Sequence, residues 1–319
     1  HACIIDGCRL SAAPTIRFRH NSPAALDKRL TRQGKIDGGV ALVIIEGLYS
    51  MFGDRAPIKE FVEVFANSFD LMRSRWSYVY FAFYLLLGVV LLFLNNDLSK
   101  AVITLMNVII VLVPLIGTIF GVMYYYNSKE FTELLLAQPL KRSSIFLGQY
   151  LGVALSLSMS LILGLGIPFV FYGLFKSAAI WDFSLLLITG TFLTLIFTAL
   201  AFNIALSNEN KIKGFGYAIL LWLFLAIIYD GIFLMTLIMF EDYPLDKLSL
   251  VGTMLNPIDL SRTLILLKLD ISALLGYTGA VFKQFFGTSF GLIVSFVMLT
   301  VWVILPVSRI VFKSKKKDF

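Results

Sequence analysis

"AVITLMNVIIVLVPLIGTIFGVMYYY", residues 101–126, decides the fold. It contains no charged residue, and it exceeds the roughly 20 residues that a helix needs to cross the hydrocarbon of a bilayer. Backbone in lipid must satisfy its own hydrogen bonds, and a continuously apolar run does so as a helix. A barrel strand would alternate instead. The run closes on Tyr124-Tyr125-Tyr126, an aromatic belt suited to a membrane interface. Runs of the same kind recur at 76–94, 144–175, 183–206, 215–240 and 288–308. The expected fold is therefore an all-α integral membrane protein with six transmembrane helices over 76–312. Composition agrees. Of 319 residues, 58% are hydrophobic and 15% charged, where a soluble domain carries about a quarter charged.

Lys and Arg set the orientation. Arg73 and Arg75 precede the first run, and Lys129, Lys141 and Arg142 lie between the second and third. Lys211 and Lys213 lie between the fourth and fifth, and Arg309, Lys313, Lys315, Lys316 and Lys317 follow the sixth. All four regions share one side if there are six spans, so both termini are expected in the cytoplasm of a bacterial inner membrane. The basic tail 313–319 lies on that side, and the 241–287 connection lies outside. The net charge of +7 sits beside the spans and does not point to nucleic acid.

The start of the chain differs in character. Its first methionine is Met51, and both cysteines, Cys3 and Cys8, and both histidines, His1 and His20, fall in the first twenty residues. Their spacing fits no zinc template. Residues 1–50 are expected to be a non-native or disordered N-terminal extension. Residues 51–75 place Phe61, Val62, Val64, Phe65 and Phe69 largely on one helical face among charges. That pattern predicts an interfacial elbow helix.

A second stretch, "FTELLLAQPLKRSSIFLGQY" at 131–150, interrupts the apolar pattern. Asn127 with Glu130 approaches a capping box, and Pro139 stops the helix that follows. Ser143 and Ser144 can cap the next span. The expectation is a short cytoplasmic helix within 127–143, with its charged face free to meet a partner. A plain loop with one helical turn is the alternative.

Glu130, Thr132, Glu133, Leu134, Leu135, Pro139 and Arg142 resemble the coupling-helix motif of type-2 ABC exporter permeases, with Phe131 where many members have Gly. Within that family the likeness is to the NosY-like branch, which serves copper-site maturation of nitrous oxide reductase. Tyr229-Asp230 and the external "LNPIDLSRTLILLKLDISALLGYTG" carry it. The resemblance implies a permease subunit without enzymatic activity, paired as a homodimer and driven by a separate NosF-like ATPase subunit that holds ATP and Mg. It implies no cofactor bound by this chain. The second cytoplasmic turn, Asn208, Glu209 and Asn210, would join the coupling helix in docking the ATPase, and a NosD-like periplasmic partner would sit outside. A related exporter with other cargo is one alternative. A membrane scaffold or integral-membrane enzyme with Asp230 as its acid is another.

The residues themselves narrow the chemistry. No phosphate-binding G-x-x-x-x-G-K-[ST] occurs, since Gly34-Lys35 is followed by Ile36. No His or Cys lies beyond residue 20, which excludes thiol and His-based catalysis from the membrane part. Asp230 is the sharpest single residue, because an acid at membrane depth marks a functional site by default. The spans offer no basic partner for it, and Tyr229, Asn107 and Asn203 are the expected hydrogen-bonding candidates. Asn256-Pro257-Ile258-Asp259 reads as a helix start, opening an external helix that rests on the bundle or membrane surface. Met235, Met239 and Met254 have thioethers that suit copper(I), yet methionine in an apolar helix generally packs. No metal ligand set is expected. Gly148-x-x-x-Gly152 allows close helix approach, and Gly164, Gly166, Pro168 and Pro306 loosen or bend their helices.

Overall fold

The computed structural model describes residues 75–95, 97–136, 141–177, 179–239, 246–268 and 289–316. The expected extension at 1–50, nearly all of the elbow helix, Pro139 and most of the second half of the external connection lie outside these residues. Among those described, regular structure is helical throughout. The helices are α1 (Arg75–Leu94), α2 (Leu98–Asn127), α3 (Lys129–Leu136), α4 (Arg142–Phe171), α5 (Ile180–Ser207) and α6 (Lys211–Leu223). After a π turn at Phe224–Ile228 come α7 (Tyr229–Met239), α8 (Asp246–Leu255), α9 (Pro257–Lys268) and α10 (Ser289–Lys316).

Five helical segments are long and apolar enough to cross a membrane. They are Lys100–Asn127, Arg142–Phe171, Ile180–Ser207, the continuous run Lys211–Met239 and Gly291–Lys315. A shorter apolar helix, Tyr78–Leu94, accompanies them. α5 is the hub, packing on α2, α4, α6, α9 and α10. Its inward residues, Leu193, Ile196 and Phe197 among them, are buried with Leu105, Ile109 and Leu161 from α2 and α4. Small residues set the spacing. A Cβ on Gly121 would stand 2.7 Å from the Ala201 Cβ, so α2 and α5 meet nearly backbone to backbone. A Cβ on Gly164 would stand 2.6 Å from the Tyr84 Cβ and 3.1 Å from the Phe81 carbonyl oxygen, which fixes α1 against α4. Buried hydroxyls turn back onto their own helices, as when the Thr118 hydroxyl donates to the Pro114 carbonyl at 2.8 Å and Thr194 donates to Gly190 at 2.9 Å. Such back-bonding lets hydroxyls sit in an apolar bundle without orphaned donors.

The helix ends gather at one pole. Tyr126 donates to the Asn208 carbonyl at 2.7 Å, and Lys211 reaches Asn127 at 3.1 Å. Lys313 donates to the Ser207 hydroxyl at 2.5 Å, and Ser314 meets Ser143 at 3.3 Å. Lys129, Lys141, Arg142, Lys211, Lys213, Lys313 and Lys315 all belong to this basic pole.

Two elements depart from expectation. The fifth apolar run is not a plain α-helix. Its π turn makes the Tyr229 N–H donate to the Phe224 carbonyl, five residues back, and such turns are frequent at functional sites. The external connection does not rest on the surface. Asn256, at the joint of α8 and α9, donates to the carbonyl of Leu225 at 2.8 Å, and Leu225 is the central residue of Lys211–Met239. The Trp302 indole, midway along α10, donates to the Met254 carbonyl at 3.1 Å. The joint therefore reaches the mid-height of the bundle. Ile258 and Leu260 complete the seat in the main core, because the apolar side of α9 finds α2, α5 and α10 to cover it.

Candidate functional site

The π turn, α7 and the start of α9 meet in a polar cluster. Arg262 Nη1 lies 2.7 Å from Asp230 Oδ2 and 3.5 Å from Asp259 Oδ1. Asn256 Nδ2 donates to Asp259 Oδ2 at 2.8 Å, while Asn256 Oδ1 accepts the Ile258 N–H at 3.1 Å and caps α9. The Tyr229 hydroxyl donates to the Gly252 carbonyl at 2.6 Å. Local sequence explains the assembly. Asn256 caps, Pro257 supplies a preset φ for the first helical residue, and Asp259 lies in the first turn, where an acid meets the helix's positive end. Arg262 follows Asp259 by three residues and so shares its face.

Asp230 therefore has a basic partner, Arg262, which was not among the expected candidates Tyr229, Asn107 and Asn203. The partner comes from the connection rather than from a span, so a search of the spans could not find it. Asn203 and Asn107 are elsewhere. Asn203 donates to the Ala199 and Pro306 carbonyls, and Asn107 donates to Ile103. The spacing of Asp259 and Arg262 on a capped helix was the available signal.

Charge in the cluster is unbalanced. Among the described residues, two carboxylates share one guanidinium, leaving one negative charge in excess. Asp259 is only 8% exposed, and its Oδ1 accepts no hydrogen bond. Asp230 and Arg262 are 28% and 29% exposed, so the cluster opens outward. It opens beside α7, which buries no residue and presents Ile232, Leu234, Met235, Ile238 and Met239. Met235 and Met239 thus lie outside, whereas Met254 packs against the core. Among the described residues, no group of three or more His, Cys, Asp or Glu could hold a metal.

At the basic pole, α3 (Lys129–Leu136) lies within the expected 127–143. Asn127 ends α2, and α3 starts after Ser128, whose carbonyl accepts both the N–H and the hydroxyl of Thr132 at 2.8 Å. Thr132 is buried and accepts a hydrogen bond from Gln149 of α4 at 2.8 Å, a lock that sequence reading missed. Glu130 and Glu133 are exposed, Glu133 loosely paired with Lys129 at 3.8 Å. Leu134 and Leu135 lie in α3, and Arg142 opens α4, preceded by Lys141 rather than by a capping serine. Asn210 caps α6 through the Ile212 N–H at 2.9 Å. Asn208 is tied to Tyr126, and Glu209 is exposed.

No known family's sequence profile matches the chain. Similar curated proteins are enzymes. A serine palmitoyltransferase of Caulobacter vibrioides is 55% identical over 64 residues, covering 20% of this chain and 16% of the relative. The serine palmitoyltransferase of Sphingomonas paucimobilis is 55% identical over 64 residues, 20% and 15% of the two chains. An 8-amino-7-oxononanoate synthase of Lysinibacillus sphaericus is 45% identical over 64 residues, 20% and 16%. These relatives overturn the expected kinship with ABC permeases of the NosY-like branch, together with its transport, copper and denitrification roles. They equally overturn the expectation of a permease subunit without enzymatic activity, since the relatives are named as enzymes. The chain spans about one sixth of the length of these relatives.

Proposed function

We propose that this chain is a six-span protein of the bacterial inner membrane, both ends cytoplasmic, which binds an amphiphile bearing an acyl-type chain and an amine. α1 is the sixth span, and the basic pole faces the cytoplasm by the positive-inside rule. The observation that carries the binding reading is the pair of carboxylates sharing Arg262 beside the outward face of α7. An ammonium at the mouth would balance the excess charge and donate to Asp259, while an alkyl chain would lie along Ile232, Met235 and Met239. Unpaired buried charge is costly, so a cationic head group gains where a neutral one does not. The names of the relatives, which join serine to a palmitoyl group, suit an amphiphile of this class.

The test uses the purified full chain and three probes of equal chain length: hexadecylamine, hexadecanol and hexadecanoate. The amine is expected to bind at least about tenfold more tightly than the others, the effect of roughly one added charge interaction, and Asp259→Asn is expected to erase the preference. Equal binding of all three probes would reduce the cluster to a structural latch between the π turn and α9. That second reading is favoured by the Asn256 bond to the Leu225 carbonyl.

A further inference from the structure

The two carboxylates that share Arg262 do not share it equally. Asp230 Oδ2 is held by the guanidinium at 2.7 Å. Asp259 meets it only at 3.5 Å through Oδ1, and that oxygen is buried and accepts no hydrogen bond. Its other oxygen, Oδ2, accepts from the Asn256 amide at 2.8 Å. Asp259 is thus the acid whose charge is least answered, and it lies deeper than Asp230. Along the helices packed on α9, charge lies only toward the ends: Lys100 at the start of α2, Asp182 in the first turn of α5, Asp246 and Lys247 at the start of α8, and Arg309 onward in α10. Lys100 is paired with Asp97 at 3.4 Å. From the other side come Asp230 and the Tyr229 hydroxyl, and that hydroxyl donates to the Gly252 carbonyl. Among the described residues, no second cation therefore reaches Asp259.

A poorly solvated carboxylate that shares its counter-charge with a second acid can be neutralised by a proton as well as by a bound cation. Burial first, and then the charge of Asp230, push the Asp259 carboxyl up to about 6, against the opposing pull of Arg262 and of the Asn256 amide. Oδ1 is the atom both would use. With a proton there, one carboxylate, one carboxylic acid and one guanidinium sum to zero charge. With an ammonium there instead, the cluster and its ligand again sum to zero. Both together would leave one positive charge in excess. We propose that a proton and a cationic head group exclude one another at Asp259, so that mild acid empties the site; this rests on the amphiphile reading above. In the exchange an O–H bond forms at Oδ1 with a proton taken from water at the open side of the cluster. The ammonium, still charged, gives up its hydrogen bond to that oxygen and leaves.

The experiment measures hexadecylamine binding to the purified full chain at about pH 7.5 and about pH 5, with hexadecanol as the uncharged probe. An alkylammonium keeps its charge across this range, since such amines titrate near 10.4. The amine is expected to bind about tenfold more weakly at the lower pH, the loss set by a carboxyl that titrates near 6, while hexadecanol binds alike at both. Calorimetry at the lower pH in two buffers of different ionisation enthalpy is expected to show close to one proton released per amine bound. Asp97→Asn, at an exposed ion pair away from the cluster, is expected to keep the pH dependence. The empty chain supplies a second sign. A carboxyl whose value is raised by folding binds its proton more tightly in the native state, so its contribution to stability grows as pH falls through about 6 toward its ordinary 3.8. The ligand-free native chain is therefore expected to gain melting temperature, relative to Asp259→Asn, between about pH 7.5 and about pH 5. An Asp259 held ionised by Arg262 gives the opposite sign, and that result, or no difference, would overturn the proposal. Amine binding of equal strength at both pH values would also overturn it and leave the amphiphile reading standing. Absence of an amine preference at about pH 7.5 would overturn both.

Discussion

At the scale of the residue, Arg262 stands between Asp230 and Asp259, and the three are not equivalent. Removing either carboxylate leaves a balanced ion pair. Removing the guanidinium leaves two carboxylates facing each other at membrane depth. Breaking a desolvated pair by deleting one partner is far more costly than replacing the whole. Arg262→Met is therefore expected to destabilise the protein by about 3 kcal/mol, and Asp230→Asn or Asp259→Asn by about 1 kcal/mol or less. Reversible unfolding in mixed micelles measures the difference, and equal losses for all three would show that the charges do not interact. The sequence singled out Asp230 by rarity alone. Its partner escaped notice because Arg262 falls in a connection whose depth no local pattern reveals. The pairing depends on where Asn256 anchors, and that is a tertiary contact.

At the scale of the element, glycine separates two neighbouring roles in α4. Gly164 lies against the backbone of α1, whereas nothing lies within 4 Å of a Cβ on Gly166. Gly164→Ala is expected to push α1 away and cost about 1–3 kcal/mol, as overpacking does. Gly166→Ala is expected to be neutral or to stabilise by up to about 1 kcal/mol through helix propensity. Melting temperatures of the two variants check the contrast, and matching losses would refute the packing assignment. Both glycines read from sequence as loosening features, since periodicity cannot say which face of an apolar helix meets a neighbour. The helices themselves were legible, because length and hydropathy suffice for a span. The π turn was not, because nothing in Phe224–Ile228 distinguishes a π turn from an α turn until Asn256 takes the Leu225 carbonyl. The short helix after α2 was expected, but its lock was not. Thr132 and Gln149 are ordinary polar residues until the fold buries them together.

At the scale of the whole molecule, the basic pole and the opposite pole make a topology that can be mapped. In a chain with Cys3 and Cys8 replaced by serine, Glu209→Cys is expected to react with a membrane-impermeant maleimide only after cells are opened. Ser177→Cys is expected to react in intact cells. Labelling of both from outside would overturn the proposed six-span arrangement. The all-helical fold and its five long apolar helices were readable from hydropathy, whereas identity was not. The motif around Glu130–Arg142 suggested one family, and the proteins that share extended identity with part of the chain are of another kind. A short helix with acids, leucines and a terminal proline is what any amphipathic turn at a membrane surface needs, so physics alone produces much of that motif.

The seat of the α8–α9 joint also has a consequence in time. The joint is held from both directions along the chain, by the Leu225 carbonyl, synthesised before it, and by the Trp302 indole, synthesised after it. While the ribosome is still making α10, the Met254 carbonyl has no indole to receive and α9 lacks one of the three helices that cover it. Burial of the joint is thus a late event in biogenesis. In a chain with Cys3 and Cys8 replaced by serine, Ser261→Cys, at a fully buried position of α9, is expected to react with maleimide when the chain is halted before residue 289, and the finished chain is expected to protect it. Completion of the last helix would then divide nascent chains with an open centre from finished ones in which the joint is closed.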